Sequence, residues 1–255
     1  MNYHVLNGDA LAEKFPSQLS GERIIWREAF IEGYQPIDSD DTFWQKRAAF
    51  VEEAYGATLE EYSQKFLSQV RLLMQIKDDD AVYLWFEDDL FCQINMWWVI
   101  RLLWMYRQPQ KKSLPRMYRV FPDDKPGSWD GFGKATSEEL VKLFQQAVPF
   151  EKTDVDIALK LWNAYNRGLT LELDYTDFVN NTCYRYLYEV MQAQNDRNPI
   201  SGPGRPERIL ENIITKGKKS FDEIFAEFYK RAGIYGFGDV QVLRILNSMG
   251  PAYSR

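Results

Sequence analysis

The sequence is poor in the residues whose chemistry is easiest to recognise. One histidine, His4, and two cysteines, Cys92 and Cys183, stand among 255 residues. A single histidine excludes a His-rich zinc centre, and no serine or cysteine is joined to it in a recognisable nucleophile motif. The cysteines have no paired spacing and fall in or near apolar helical patterns. They read as buried free thiols of a reducing compartment, not as a disulfide or zinc knuckle. A metal centre would have to be built mainly from carboxylates, which suits magnesium, calcium or manganese. No basic segment followed by an apolar run opens the chain, and the densest apolar run, 94–106, is short and carries Arg101. A cytoplasmic protein without membrane contact is the expectation. Positive charge is also in deficit: a net charge of -6 lacks the field of a dedicated nucleic-acid binder, so nucleic acid is not the expected partner. Neither Gly-x-x-x-x-Gly-Lys-Ser/Thr nor Gly-x-Gly-x-x-Gly occurs.

Apolar and aromatic residues, by contrast, are abundant, at 45% and 15% with eight tryptophans. That is enough for a dry, sizeable core. The stretch 81–106 organises it. Residues 81–86 are a β-branched and aromatic run suited to a strand buried on both faces, and Glu87-Asp88-Asp89 follows. About seventeen residues then read as a helix apolar on nearly every side, broken only by Gln93, Asn95 and Arg101. Further strands are expected at 3–6, 23–26 and 117–121, with one short helix begun by Leu11 and Phe15 and further helices over 43–54 and 59–74, around Leu161 and Trp162, and over 184–191. Asp9 can cap the first helix, and Thr136 with Glu139 forms a capping box. Asp78-Asp79-Asp80 reads as a solvated turn. The glycine-bearing loop from Pro122 through Gly127 to Gly131-Phe132-Gly133-Lys134 carries two lysines before a helix, a weak phosphate-loop signal.

Residues 195–204 form the clearest linker. They divide an α/β domain with helical insertions, 1–194, from a helical C-terminal domain, 203–255. The first is expected as a small, mainly parallel Rossmann-like sheet wrapped by helices, the second as a winged-helix or helix-turn-helix-like unit. Its helices centre on Ile209 to Ile214, on Phe221 to Phe228 behind a Ser220–Glu223 capping box, and on Val240 to Leu246 with Asp239 as N-cap. This part carries nine Lys or Arg against six Asp or Glu, +3, while residues 1–202 balance at -9.

In a parallel sheet, ligands sit beyond the carboxyl ends of the strands. The turns Asn7-Gly8-Asp9, Trp26-Arg27-Glu28 and Glu87-Asp88-Asp89 would then share one edge. In a functional reading Asp9, Glu28 and Asp89 hold a divalent cation such as magnesium or move protons, and Arg27 and Arg47 clamp a phosphate or carboxylate. In a structural reading Asp88 or Asp89 caps the central helix, Arg27 and Glu28 pair with neighbours, Gln93 satisfies a backbone group, and His4 is a hydrogen-bonded core residue.

The motif order His4-Val5-x-x-Gly8-Asp9, Trp26-Arg27-Glu28 with Gly33, Arg47, Leu84-Trp85-Phe86 with Asp89 and Gln93, and finally Gly238-Asp239-x-Gln241, resembles a bacterial family known as the domain of unknown function eighteen-thirty-five, joined to its helical C-terminal companion. Glu28 stands where that family usually has Asp, and Tyr34 where it has Pro. The resemblance implies an architecture and a set of positions, not an activity. Two functions follow as expectations. One is a protein that binds, or binds and acts on, a phosphorylated or nucleotide-like small molecule at the strand ends through Asp9, Glu28, Asp89, His4, Asn7, Gly8, Trp26, Arg27, Arg47, Glu87, Asp88 and Gln93. The other is a regulatory or adaptor protein whose C-terminal unit, with its Lys216-Gly217-Lys218-Lys219 turn, docks on a protein or DNA. The aromatic surplus allows a homodimer, though no heptad pattern marks an interface.

Overall fold

The computed structural model describes residues 1–33, 41–123, 128–178, 181–217 and 220–250. Tyr34, residues 124–127 of the glycine-bearing loop and the Lys218-Lys219 pair lie outside them. The architecture is mixed α/β. A five-stranded sheet runs in the order β2-β1-β3-β4-β5, with β1 (Asn2–Asn7), β2 (Glu22–Trp26), β3 (Ala81–Trp85), β4 (Arg116–Val120) and β5 (Val148–Pro149). The first four are parallel, and β5 pairs antiparallel with β4. Only two residues long, β5 carries too little pattern to read from sequence. The order reverses between β1 and β3, so the connections from β1 to β2 and from β3 to β4 depart in opposite directions.

Strand alternation gives the sheet two apolar faces. Val5, Ile24 and Leu84, neighbours in register, join the larger core on one face. Leu6, Trp85 and Val120 join a smaller core on the other, closed by Leu11 of the short helix α1 (Asp9–Glu13), by Phe15 just beyond it and by Leu140 of α6 (Ser137–Gln145). The larger face is covered by α5 (Leu90–Arg107), which buries Ile94, Met96, Trp97, Trp98, Val99 and Ile100 completely. At about 1.5–3 kcal/mol for each large side chain removed from water, α5 and the sheet face beneath it contribute the largest block of the core. Around it pack α2 (Asp41–Tyr55), the nearly continuous helix made of α3 (Leu59–Tyr62), a π-helical turn (Ser63–Leu67) and α4 (Ser68–Met74), then α7 (Lys152–Asn166) and α8 (Leu187–Arg197).

The C-terminal unit comprises α9 (Arg205–Thr215), α10 (Phe221–Ala232) and α11 (Asp239–Ser248), with no strand and hence no wing among its described residues. Leu210, Ile213, Ile224, Phe228, Val242 and Leu246 belong to the same contiguous core as α5 and the sheet. Two hydrogen bonds tie the surfaces: Tyr229 OH donates to Trp129 O at 2.8 Å, and Gln241 Nε2 donates to Tyr55 OH at 2.9 Å. Among the described residues no helix is long and apolar enough to cross a membrane.

Several local expectations need correction. Gly8 is the N-cap of α1 and Asp9 its first residue, with no capping hydrogen bond, because the Asp9 carboxylate turns to Arg27. Gly238, not Asp239, caps α11, since the Gln241 side chain reaches back to the Gly238 N–H at 2.9 Å. The helix expected over 184–191 starts at Leu187, because Tyr186 takes a left-handed conformation with φ 55°. Asp80 of the supposedly solvated turn is buried and accepts the Lys77 N–H at 2.8 Å. The C-terminal helices and the sheet share one core. Phe228→Ala should therefore cost about 3–5 kcal/mol and lower a single melting transition, and calorimetry should show no separate early transition for the C-terminal helices.

Candidate functional site

A cleft of about 250 Å³ opens at the carboxyl ends of β1 and β2, beside the reversal of strand order. Asn7, Gly8, Asp9, Arg27 and Glu28 line it from the strand-end turns, with Phe91, Tyr55 and Gln241 closing its other sides. Gly8 holds φ 91° and ψ 172°, a conformation that is essentially glycine's alone. Its N–H is taken by Leu6 O and Trp26 O, each at 3.0 Å, so the glycine fixes the turn while leaving open space before its Cα. Arg27 meets the Asp9 carboxylate through Nε at 2.8 Å and Nη2 at 2.7 Å, and donates from Nη1 to Lys65 O. The hydrogen bonds from Arg27 hold the Asp9 carboxyl below its ordinary range. This pair is partly exposed, so it contributes little to stability and can exchange partners.

Behind the cleft the polar groups are buried. Glu28 and Arg47 form an ion pair at 2.7 Å with both side chains sealed from water. The Glu28 carboxylate also accepts from Ala29 N at 3.0 Å and from Tyr62 OH at 2.5 Å, and Arg47 donates to Ala29 O and Glu32 O. Burial and the adjacent carboxylate push the Tyr62 hydroxyl far above its ordinary value, so it remains a donor. Asn95, the polar interruption in α5, accepts from Phe30 N at 3.2 Å and donates to Glu28 O at 2.7 Å and Asn7 Oδ1 at 3.2 Å. It fastens the turn after β2 to the end of β1.

The turn after β3 gathers a second group. Asp89 caps α5, accepting Cys92 N at 2.9 Å. Glu87 accepts Phe132 N at 2.7 Å, and the Cys92 thiol is 3.8 Å from its other oxygen. Asn7 Nδ2 reaches Cys92 Sγ at 3.0 Å, linking this group to the cleft. Burial, and then the charge of Asp89, raise Glu87 to about 7, while burial raises Asp89 to about 6. Cys92 is pushed well above its ordinary value by burial and both acids, so it stays a thiol. Asp88 is held between Arg185 at 2.9 Å and Arg119 at 3.3 Å. Two glycines with positive φ make room for the acids: a Cβ on Gly131 would strike the Glu87 carboxyl, and one on Gly236 of the C-terminal unit would strike that of Asp89.

Ligand atoms of Glu87, Asp89 and Cys92 lie within 4.8 Å of one another. Magnesium does not fit them. It prefers oxygen ligands and keeps several waters, whereas this trio includes a cysteine sulfur and its two acids border about 20 Å³ of free space, room for one water. The group's chemistry is that of a carboxyl pair whose proton affinities lie near neutrality.

The fold thus brings Asn7, Gly8, Asp9, Trp26, Arg27 and Glu28 to one cleft and sets Glu87, Asp88 and Asp89 behind it. Trp26 is almost entirely core. His4 is not there. Its side chain lies on the opposite sheet face, where Nε2 faces Ser20 O at 3.3 Å, Nδ1 accepts from Trp85 Nε1 at 3.2 Å, and burial lowers its proton affinity. Arg47 is committed to Glu28, and Gln93 Nε2 ties Asp88 O to Arg185 O. Sequence reasoning missed Tyr55, Tyr62, Phe91, Arg119 and the role of Asn95. For Asn95 and Arg119 the available signal was a polar residue within an otherwise apolar element. Comparison with protein families, curated proteins and solved structures finds no match for the chain.

Two outcomes follow. Arg47→Met leaves the Glu28 carboxylate buried without its ion-pair partner and should cost about 3–5 kcal/mol in chemical denaturation. Glu87 and Asp89 bind protons more tightly in the folded chain than in the unfolded one. The stability they contribute is therefore full below the ordinary carboxylate range and is lost as pH climbs through about 6 to 7. Melting curves of wild type and Glu87→Gln should accordingly diverge between about pH 5 and pH 8, with the variant gaining relative to wild type as pH rises.

Proposed function

We propose that the protein binds a small phosphorylated or nucleotide-like molecule in the cleft at the ends of β1 and β2. The observation that carries this reading is the cleft itself, which gathers Asn7, Gly8, Asp9 and Arg27 beside the point where the strand order reverses. The sheet is read as Rossmann-like, and in such sheets ligands occupy that position. Arg27 exchanges Asp9 for the ligand's anionic group, a like-for-like replacement of one bidentate partner by another. Half-buried Phe91 and Val51 supply an apolar wall for a ring. The volume suits a small metabolite. The carboxyl pair Glu87 and Asp89, reached through Asn7 and Cys92, supplies a proton donor and acceptor should the ligand be transformed. The resemblance to the domain of unknown function eighteen-thirty-five is compatible with this reading, because its Gly8-Asp9, Trp26-Arg27-Glu28 and Gln241 positions all line the cleft.

A thermal-shift panel of nucleotides and sugar phosphates tests it. At about 100 times its dissociation constant a ligand adds about 2.7 kcal/mol to the native state. Arg27→Ala should abolish the shift while costing at most about 1 kcal/mol in the free protein, since the Arg27–Asp9 pair is partly exposed. A panel without any shift would favour the adaptor reading, and a shift that survives Arg27→Ala would remove Arg27 from the site.

A further inference from the structure

The strand-end cleft presents one charge of each sign. Asp9 and Arg27 face it with partly exposed side chains, whereas Glu28, its third charged lining residue, has its carboxylate sealed against Arg47. Asn7, Tyr55 and Gln241 add only neutral polar groups. Lys65 stands nearby but outside the lining, and Glu61 offsets its charge at 3.5 Å. A balanced cleft gives a simple anion little to gain. An anion that takes Arg27 leaves the Asp9 carboxylate beside a like charge and without its partner, since Arg27 is the only group hydrogen-bonded to that carboxylate among the described residues. Protonation does not relieve this at neutral pH, because the hydrogen bonds from Arg27 hold the Asp9 carboxyl below its ordinary range. A ligand cation placed on Asp9 does relieve it, and the exchange then conserves both ion pairs. Because Arg27 Nη2 and Asp9 Oδ1 stand only 2.7 Å apart, one small molecule can reach both. Arg27 keeps its place when Asp9 leaves it, anchored by the bond from Nη1 to Lys65 O at 3.0 Å in the π-helical turn. The open space before Gly8 gives a ligand group access beside Asp9.

We propose that the ligand of the strand-end cleft is a phosphorylated amine, whose phosphate takes Arg27 while its ammonium group takes Asp9. This rests on the reading that a ligand anion exchanges onto Arg27, and it narrows the phosphorylated class to molecules that carry both signs of charge. A hydroxyl in place of the ammonium offers Asp9 a hydrogen bond without a charge, so an analogue of the same shape binds more weakly. Asp9 thereby becomes the residue that sets specificity, and Arg27 the one that supplies affinity for phosphate.

Calorimetric titration of the full chain with two matched pairs of probes tests this: aminoethyl against hydroxyethyl phosphate, and aminopropyl against hydroxypropyl phosphate. Within each pair only the ammonium and the hydroxyl differ. At least one amine should bind about tenfold or more tighter than its hydroxyl partner. Asp9→Asn should erase that preference by weakening the amine while leaving the hydroxyl analogue unchanged or tighter, since Arg27 is then relieved of a competing carboxylate. A folding defect would weaken both probes together. Arg27→Ala should abolish binding of both. Equal binding within each pair, lost in Arg27→Ala, would overturn this proposal and leave the phosphate reading of the cleft standing. A preference for the amine that survives Asp9→Asn would overturn it too. Should neither amine bind while nucleotides or sugar phosphates do, this proposal alone falls; should no phosphate of any kind bind, both fall.

Discussion

The constraint on which the rest of the structure depends is that α5 is apolar around nearly its whole circumference. Such a helix cannot lie on a sheet with one side in water, so the sheet, α4, α7 and α8 enclose it, and the C-terminal unit contributes to the same core. Its polar residues then become expensive exceptions that must find partners. Asp89 caps its first turn, Gln93 secures the turn before it, and Asn95 binds the ends of β1 and β2 together. Burial of one helix thereby positions both the cleft and the carboxyl pair behind it.

A second consequence concerns charge. Removing Glu28 and Arg47 from water is costly, and the structure offsets that cost with a direct pair, a tyrosine hydroxyl and three backbone groups. The satisfied pair is rigid and sits beneath the cleft, while the exposed Asp9–Arg27 pair above it is free to exchange. Buried charge holds the scaffold and exposed charge meets solvent, a division set by dielectric environment more than by residue type.

The C-terminal unit takes part in both polar regions. Gly236 makes room for the Asp89 carboxyl, and Gln241 closes the cleft against Tyr55. Its helices carry local signals of their own, including the Ser220–Glu223 capping box, which is present as expected. Those signals define helices but say nothing of the surface they pack on.

The sequence by itself determined the parallel strands, the sunken helix, the approximate places of most helices and the turns that would meet at the strand ends, because periodicity, capping and glycine punctuation are local properties. It also marked Asn95 as anomalous, since a polar residue inside an apolar helix needs a partner. Tertiary structure alone decided which charges are buried. Arg27 and Arg47 look alike in the chain, yet one lines an open cleft and the other is sealed against Glu28. His4 lies only three residues before Asn7, and strand alternation sends it to the opposite face. Cys92 became linked to Asn7, and Gly236 to Asp89, across separations that no local pattern spans. Such pairings depend on strand order and on helices docking around α5, and these are set by burial summed over the whole chain.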